Sequence, residues 1–190
     1  KINFGRKKID LTKNKLINIL NKQLEIISEI SIYNSWPITH VKPHGALNNM
    51  ACEDIDIALT IGQTIKNFNK DFIYVVLPLN EMEKAAQKID IKYACEIFAD
   101  RNYEDNGQLI SRKDKNASIN DPDIAANNIL EMLENSYIKC LSGKKIKTNI
   151  DTVCIHGDGI NAVEIARELK KKLEKNNFIF VNLNKLKKFI

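Results

Sequence analysis

The sequence predicts an α/β fold in which short apolar strands alternate with amphipathic helices and pair mainly in parallel. Three observations support this prediction. Segments with apolar residues at helical spacing alternate along the chain with short strand-like runs. Residues 72–77 are continuously apolar, as expected for a parallel strand covered on both faces. Polar clusters follow three of the strand-like runs, at the edge where parallel folds bind ligands.

The first part of the chain predicts a helix, a strand and a second helix. Asp10 or Thr12 can cap the first helix, whose apolar residues recur at helical spacing to about residue 31. A short strand follows over residues 38–41. The second helix begins near Ala46 and continues well beyond the first polar cluster. Its predicted apolar face carries Ala58, Ile61, Ile65 and Phe68.

The rest of the chain continues the alternation. After the strand at residues 72–77, the sequence predicts a helix over 81–88, a strand over 92–98, a loop over 100–120, a helix from Asp121-Pro122, a strand over 152–156, a helix over 160–175 and a last strand over 178–181. The loop contains the turn-forming pair Asn106-Gly107. Proline at the first helical turn after Asp121 is typical of a helix start. Asp158 is the predicted cap of the helix over 160–175.

Length and composition indicate one globular domain over residues 1–190. The net charge of +5 comes largely from lysine runs at 144–147, 170–172 and 185–188, which we interpret as solvated helix faces or chain ends rather than a nucleic-acid surface. The sequence shows no signal-peptide pattern and no apolar run of about 18 residues, so we expect no membrane span and a cytoplasmic location.

The four cysteines form no pattern typical of a metal site. Cys52, Cys95, Cys140 and Cys154 include no CxxC pair. All of them except Cys140 lie within or beside apolar patterns. We therefore predict buried, reduced thiols for those three.

The first polar cluster holds Lys42 and His44 at the exit of a strand. Side chains two residues apart in an extended segment point the same way, so an ammonium and an imidazole could together bind an anion and move a proton. Pro43 and Gly45 constrain the backbone on either side of His44. The alternative is a loop lysine beside a capping histidine. His40 is either a further functional histidine or a core or supporting one.

The second cluster contains Glu96, Asp100 and Arg101, with Arg112 further along the loop. Glu96 falls inside an apolar strand, where a carboxylate must be paired, hydrogen-bonded or protonated. Glu96 is therefore a candidate for a shifted pKa and acid–base catalysis, with a structural ion pair as the alternative. Arg101 suits bidentate binding of a carboxylate or phosphate, although Asp100 could instead neutralise it.

The third cluster is His156-Gly157-Asp158, just past a strand. His156 and Asp158 share a face and form a predicted general-base pair. With His44 they could also form a His, His, Asp metal site. The alternative for His156 is a position at a helix start. The sequence contains neither a P-loop nor a GxSxG elbow.

At these clusters the sequence resembles the LamB/YcsF family, whose members are the A subunits of 5-oxoprolinase (ATP-hydrolysing). Residues 40–49 match the pattern His-Val-Lys-Pro-His-Gly-Ala-Leu-Tyr-Asn, with Asn48 in place of the tyrosine. Residues 96–103 match Glu-Xaa-Phe-Ala-Asp-Arg-Xaa-Tyr, and residues 154–158 match Cys-Xaa-His-Gly-Asp. Phe4-Gly-Arg6 also resembles a Gly-Phe-Gly-Arg-Arg loop of the family.

The resemblance implies a distorted, incomplete β/α barrel related to glycoside hydrolase and deacetylase folds. It also implies ATP-dependent opening of 5-oxo-L-proline to L-glutamate, carried out with partner subunits B and C. The family's N-terminal third should contain an Asp-Xaa-Asn-Xaa-Asp-Xaa-Gly-Glu strand and a Cys-Gly-Phe-His-Ala-Gly-Asp segment. Neither occurs in this sequence, which we interpret as a fragment, half of a split gene or a degenerate copy.

We hypothesise that Lys42 and Arg101 bind a carboxylate or phosphate, that His44 or His156 moves protons, and that Asp158 orients one of the histidines. This hypothesis requires the three clusters to meet around one cavity. Two alternatives are a metal-dependent deacetylase-like hydrolase and a non-catalytic scaffold that binds partner subunits. ATP, bound by this chain or together with partner subunits, a divalent metal and a homo-oligomer are further expectations.

Overall fold

The computed structural model describes Gly5 and residues 7–190. The chain forms two compact units, one of Lys1–Ala94 with Leu183–Ile190 and the other of Cys95–Asn182. The expectation of one domain over residues 1–190 stays a prediction. The described part of the chain has no helix with the length and apolar character needed to cross a membrane.

The first unit contains four helices and two parallel strands among its described residues. In chain order they are α1 Lys13–Tyr33, β1 His40–Val41, α2 Gly45–Glu53, α3 Ile55–Phe68, β2 Ile73–Val76 and α4 Glu81–Lys88, followed near the end of the chain by short 3₁₀ turns at Leu183–Lys185 and Lys187–Phe189. β1 and β2 pair in parallel, with His40 opposite Ile73. All four residues of β2 are buried, as its apolar run predicted.

The second predicted helix is two helices, because Asp54 interrupts it. The Asp54 carboxylate accepts hydrogen bonds from the backbone N–H groups of Asp56 and Ile57, at 2.8 and 3.1 Å. Its own backbone is extended. These contacts make Asp54 the cap of α3, and a capping residue cannot remain within a continuous helix. The first helix begins directly after Thr12, as predicted.

The second unit also has parallel strands, together with a hairpin that the sequence did not predict. Its elements are β3 Tyr93–Phe98, α5 Pro122–Asn135, β4 Tyr137–Lys139, β5 Lys145–Lys147, β6 Thr152–Cys154 and α6 Ala162–Lys175. The first two residues of β3 belong to the first unit, because the second unit begins at Cys95. β3 and β6 pair in parallel, and β4 and β5 pair antiparallel. The lysines of β5 therefore lie on a strand, and our assignment of residues 144–147 to a helix face or chain end was wrong.

Two further predictions at the end of the chain were also wrong. α6 begins at Ala162 with Asn161 at the cap position, rather than after Asp158, because residues 157–161 form turns. Residues 178–181 form no strand, and Ile179 is 86% exposed. β-forming residues make a strand only where a neighbouring strand is available for pairing.

Asp151, the residue immediately before β6, is hydrogen-bonded to Cys95 of β3. The Cys95 N–H donates to the Asp151 carboxylate at 2.7 Å, and the Asp151 N–H donates to the Cys95 carbonyl at 2.9 Å. These two bonds fix the alignment in which Glu96, Ile97 and Phe98 lie opposite Thr152, Val153 and Cys154.

All four cysteines are free thiols. Cys95 and Cys140 are buried, whereas Cys52 and Cys154 are half-buried, so Cys140 is more enclosed than its sequence context predicted. Burial, with a smaller contribution from Glu53, raises the pKa of Cys52 to about 12. The Cys52 thiol is therefore protonated and unreactive near neutral pH.

Glu131 stabilises the hairpin through three side-chain contacts. Lys139 Nζ lies 2.7 Å from its Oε2, Tyr137 donates its hydroxyl hydrogen, and Lys145 Nζ lies 3.0 Å from its Oε1. Hydrogen bonds from Lys139, Tyr137 and Lys145, in that order, lower the pKa of Glu131 from 4.5 to about 2. Because the pKa of Glu131 is lower in the folded protein than its ordinary value, the ionised carboxylate stabilises the fold at pH values above 4.5. This stabilisation is lost as the pH falls from 4.5 toward 2.

We expect Glu131→Gln to lower the free energy of unfolding by about 1 kcal/mol at neutral pH, since the cluster is partly exposed to solvent. Urea denaturation of the variant and of wild type at neutral pH and near pH 3 measures the difference. The matched control is Glu134→Gln, an exposed residue on the same helix. A difference that does not shrink on acidification contradicts the assignment.

Candidate active site

Asp100 and His156 meet at the carboxyl ends of two neighbouring parallel strands. Phe98 and Cys154 lie opposite each other in the ladder, and each candidate comes two residues later. The Ala99 N–H continues the pairing by donating to the Cys154 carbonyl at 2.9 Å. His156 Nδ1 consequently lies 2.8 Å from Asp100 Oδ2 and 3.0 Å from Oδ1.

The surroundings of the pair fix the imidazole while leaving it reachable. The Phe98 ring stacks on the His156 ring at 5.1 Å between centroids and 11° between planes. The side chains of His156 and Asp100 are 26% and 14% exposed. With the Nδ1 proton directed to the carboxylate, a neutral imidazole presents Nε2 as a proton acceptor. The arrangement is that of a general base with an orienting carboxylate.

The carboxylate partner of His156 differs from the one that the sequence predicted. Asp158, our predicted partner, is exposed in the turn after β6 and makes no hydrogen bond or ion pair within the described residues. Asp100 takes its place because the strand register brings the residues after β3 and β6 to the same level. The predicted strand over 152–156 runs past the observed end of β6 at Cys154, so the sequence did not show that Asp100 and His156 each lie two residues beyond a strand.

Glu96 and Tyr103 form the buried side of the site. Glu96 is 7% exposed within β3, so its side chain is enclosed, as its apolar neighbours predicted. Tyr103 is 3% exposed, and its hydroxyl oxygen accepts the Phe98 N–H at 2.7 Å. Burial raises the pKa of Tyr103 above its ordinary value, and the nearby Glu96 charge adds to the effect. Our candidate residues omitted both Phe98 and Tyr103, which support His156 and the end of β3.

Arg101 is anchored in the loop that follows β3. Its Nε donates to the Ala117 carbonyl at 3.1 Å and its Nη2 to the Ile110 carbonyl at 2.5 Å. The guanidinium is buried, and burial, followed by the charge of Arg112, lowers the pKa of Arg101. Two of its donors thus hold the loop closed. Ligand binding by Arg101 and by the exposed Arg112 stays a prediction.

Lys42 and His44 lie in the first unit, where β1 leads into α2. His44 is exposed at the cap position of α2, but its side chain makes no capping hydrogen bond. The next residue, Gly45, has φ +61°, and a Cβ there would lie 2.4 Å from the Gly5 carbonyl oxygen. Glycine is therefore required at this turn. The neighbours of Gly5 in the Phe4-Gly-Arg6 pattern lie outside the described residues.

His40 is exposed and its Nδ1 lies 2.9 Å from the Thr39 hydroxyl, so the core-histidine alternative was wrong. The predicted meeting of Lys42 and His44 with the candidates of the second unit stays a prediction.

The metal-site alternative concerns His44, His156 and Asp158. Among the described residues, no group of three or more His, Cys, Asp or Glu side chains is placed to hold an ion. Metal binding by His44, His156 and Asp158 stays a prediction.

The second unit also contains a cleft of about 370 Å³, apart from the predicted site residues. Its walls are formed by Asn102, Ser118, Ile119, Asn120, Asp121, Ile124, Asn128, Lys139, Cys140 and Leu141. The Lys139 ammonium at this cleft is already engaged by Glu131 and Asn128.

The chain is similar to known proteins over most of its length. The LamB/YcsF family profile matches residues 1–188. The A subunit of 5-oxoprolinase from Staphylococcus carnosus is 37% identical over 180 residues, which are 95% of this chain and 71% of that protein. The corresponding protein of Rhodopseudomonas palustris, also an A subunit of 5-oxoprolinase, is 40% identical over 172 residues, or 90% and 68% of the two chains.

A solved structure has the same fold. The lactam utilization protein from Thermus thermophilus matches with a TM-score of 0.85 and 33% identity, over 93% of this chain and 70% of that chain. Together with the parallel strand pairs, this match confirms the predicted fold class, an α/β fold of the incomplete β/α-barrel type.

Proposed function

Because the chain belongs to the LamB/YcsF family, we propose that it is the A subunit of a 5-oxoprolinase, an enzyme that opens 5-oxo-L-proline to L-glutamate with hydrolysis of ATP. The names of its relatives, which refer to 5-oxoprolinase and to lactam utilization, support a cyclic amide as the substrate. The observation that carries the proposal is the contact of Asp100 with His156, 2.8 Å between Oδ2 and Nδ1.

The chemistry of the substrate explains why such a pair is useful. A five-membered lactam is resonance-stabilised, so ring opening needs a nucleophilic water and an activated amide. His156 Nε2 would accept the proton of the attacking water, and Asp100 would stabilise the imidazolium that forms. The imidazolium would then return the proton to the ring nitrogen as the C–N bond breaks. ATP hydrolysis would supply the activation of the amide.

The substrate also carries a carboxylate, and ATP carries phosphates. Lys42 is the proposed binding group for one of these anions, because an ammonium forms a compact anion contact. His44 is a second proposed proton carrier. Arg101 and Arg112 are further proposed anion-binding groups, although Arg101 has only its remaining guanidinium donors available for this purpose. Glu96, whose side chain is buried in β3, is a further proposed acid–base group.

The relatives are named as one lettered subunit of 5-oxoprolinase, which indicates that they work with other subunits. We propose that this chain likewise works with subunits B and C. Since the reaction consumes ATP, we also propose a cytoplasmic location.

The test is reconstitution. The chain is combined with subunits B and C from the same source, and glutamate and ADP are measured with 5-oxoproline as substrate. We expect glutamate formation to require both ATP and this chain, and His44→Ala or His156→Ala to reduce it. Stable assembly without turnover would instead support the scaffold alternative. Turnover that depends on added Zn²⁺ but not on ATP would support the deacetylase-like one.

A further inference from the structure

Helix α1 carries an apolar surface that the described residues leave exposed. Ile19, Ile26, Ile30 and Tyr33 are 43%, 49%, 52% and 89% exposed, and we call these four residues the α1 stripe. Leu16 and Leu24, in contrast, are buried. Contiguous exposed apolar residues of this kind mark interaction surfaces.

The spacing along the stripe is that of a helix-packing seam. Together with Gln23, its members are separated by four, three, four and three residues, which keeps them on one line of the helix. A seam with an average period of 3.5 residues packs against a second helix by insertion of each side chain between those of the partner. The polar Gln23 interrupts the apolar row near its centre.

The charges beside the stripe identify the partner. Lys22 and Glu29 are seven residues apart on the same border of the stripe, and both are exposed. Neither makes an ion pair in the described part of the chain. In an antiparallel pair of identical helices, residues on this border face each other across the seam, so Lys22 of each copy meets Glu29 of the other. A parallel pair would instead bring this border against Ile27.

We propose that α1 is the docking surface for a second copy of this chain, with the two α1 helices antiparallel about a twofold axis near residue 25. In this alignment Ile19 packs against Ile30 of the other copy, and Gln23 packs against Ile26. The same patch thus contacts itself, as a twofold interface requires. A contact between two helices is small for a protein interface, so we expect a dissociation constant in the micromolar range.

Sedimentation equilibrium of the full chain at about 5 to 200 µM tests the proposal, over the range that brackets a micromolar constant. We expect a concentration-dependent dimer in wild type. Ile26→Glu should make the chain monomeric, because it buries two carboxylates in the seam. The matched control is Ile32→Glu, at a residue that is 78% exposed on another side of α1. This control should dimerise like wild type.

Charge exchange tests the antiparallel alignment. Lys22→Glu and Glu29→Lys should each weaken dimerisation about tenfold or more, because each puts like charges together twice. The double variant should recover the wild-type constant. Circular dichroism verifies that every variant is folded. A monomeric wild type, as expected if another polypeptide covers the stripe, or a dimer indifferent to Ile26→Glu and to both single charge changes, overturns the proposal.

Discussion

Asp100→Asn is expected to lower the rate of lactam opening in the assembled enzyme by about 10²- to 10⁴-fold, the range typical of general acid–base catalysis. An asparagine can donate to His156 Nδ1 and so stabilise the tautomer with its proton on Nε2, which cannot act as a base. It also removes the charge that stabilises the imidazolium. Steady-state glutamate formation at saturating 5-oxoproline and ATP measures the effect.

Three comparisons make this result specific. His156→Gln should cost as much as Asp100→Asn, and the double variant little more, because the two residues act as a unit. Asp123→Asn, an exposed aspartate in the first turn of α5, should have the wild-type rate. A larger loss in Asp158→Asn than in Asp100→Asn would contradict the pairing in this structure and favour the partner that the sequence predicted.

Arg101→Met is expected to lower the free energy of unfolding by about 2 to 4 kcal/mol, the largest loss of stability among our predictions. The change removes donors from the buried carbonyls of Ile110 and Ala117, and each unsatisfied buried group costs about 1 to 3 kcal/mol. Arg101→Lys should recover only part of the loss, since a single ammonium lacks the guanidinium fork. Urea denaturation followed by circular dichroism measures both variants.

The control for this prediction is Arg112→Met, which should change stability by less than about 0.5 kcal/mol because Arg112 is exposed. If Arg101→Met instead unfolds like wild type but raises the KM for 5-oxoproline or ATP, the loop-anchor role is wrong and the ligand-binding prediction is supported.

Elements with strong local determinants were predictable from the sequence. Asp121 and Pro122 define the start of α5, and Glu81–Lys88 was predicted with its observed bounds. The strand β2 was also predictable from its local sequence, because its residues are continuously apolar. Predictions failed where contacts between segments distant along the chain decide the structure. β5 is a strand because it pairs with β4, whereas residues 178–181 have the right composition but form no strand.

The same distinction applies to the site. Position after a strand was sufficient to select Asp100 and His156 as candidates, because parallel strands deliver their ends to one edge. We predicted Asp158 as the partner of His156 because the two residues are close along the chain, and the sequence alone does not show which distant residues are close in space. The observed partner is 56 residues away and is specified only by the register of β3 and β6.

Asp151 therefore influences the candidate base from the opposite end of the strand. Successive side chains of a strand face opposite sides, so a one-residue slip of β6 along β3 would turn the imidazole away from its carboxylate. The two bonds between Asp151 and Cys95 oppose such a slip. Under the proposed function, substitution of Asp151 would lower activity by displacing His156 from Asp100, although both of those side chains would still be present.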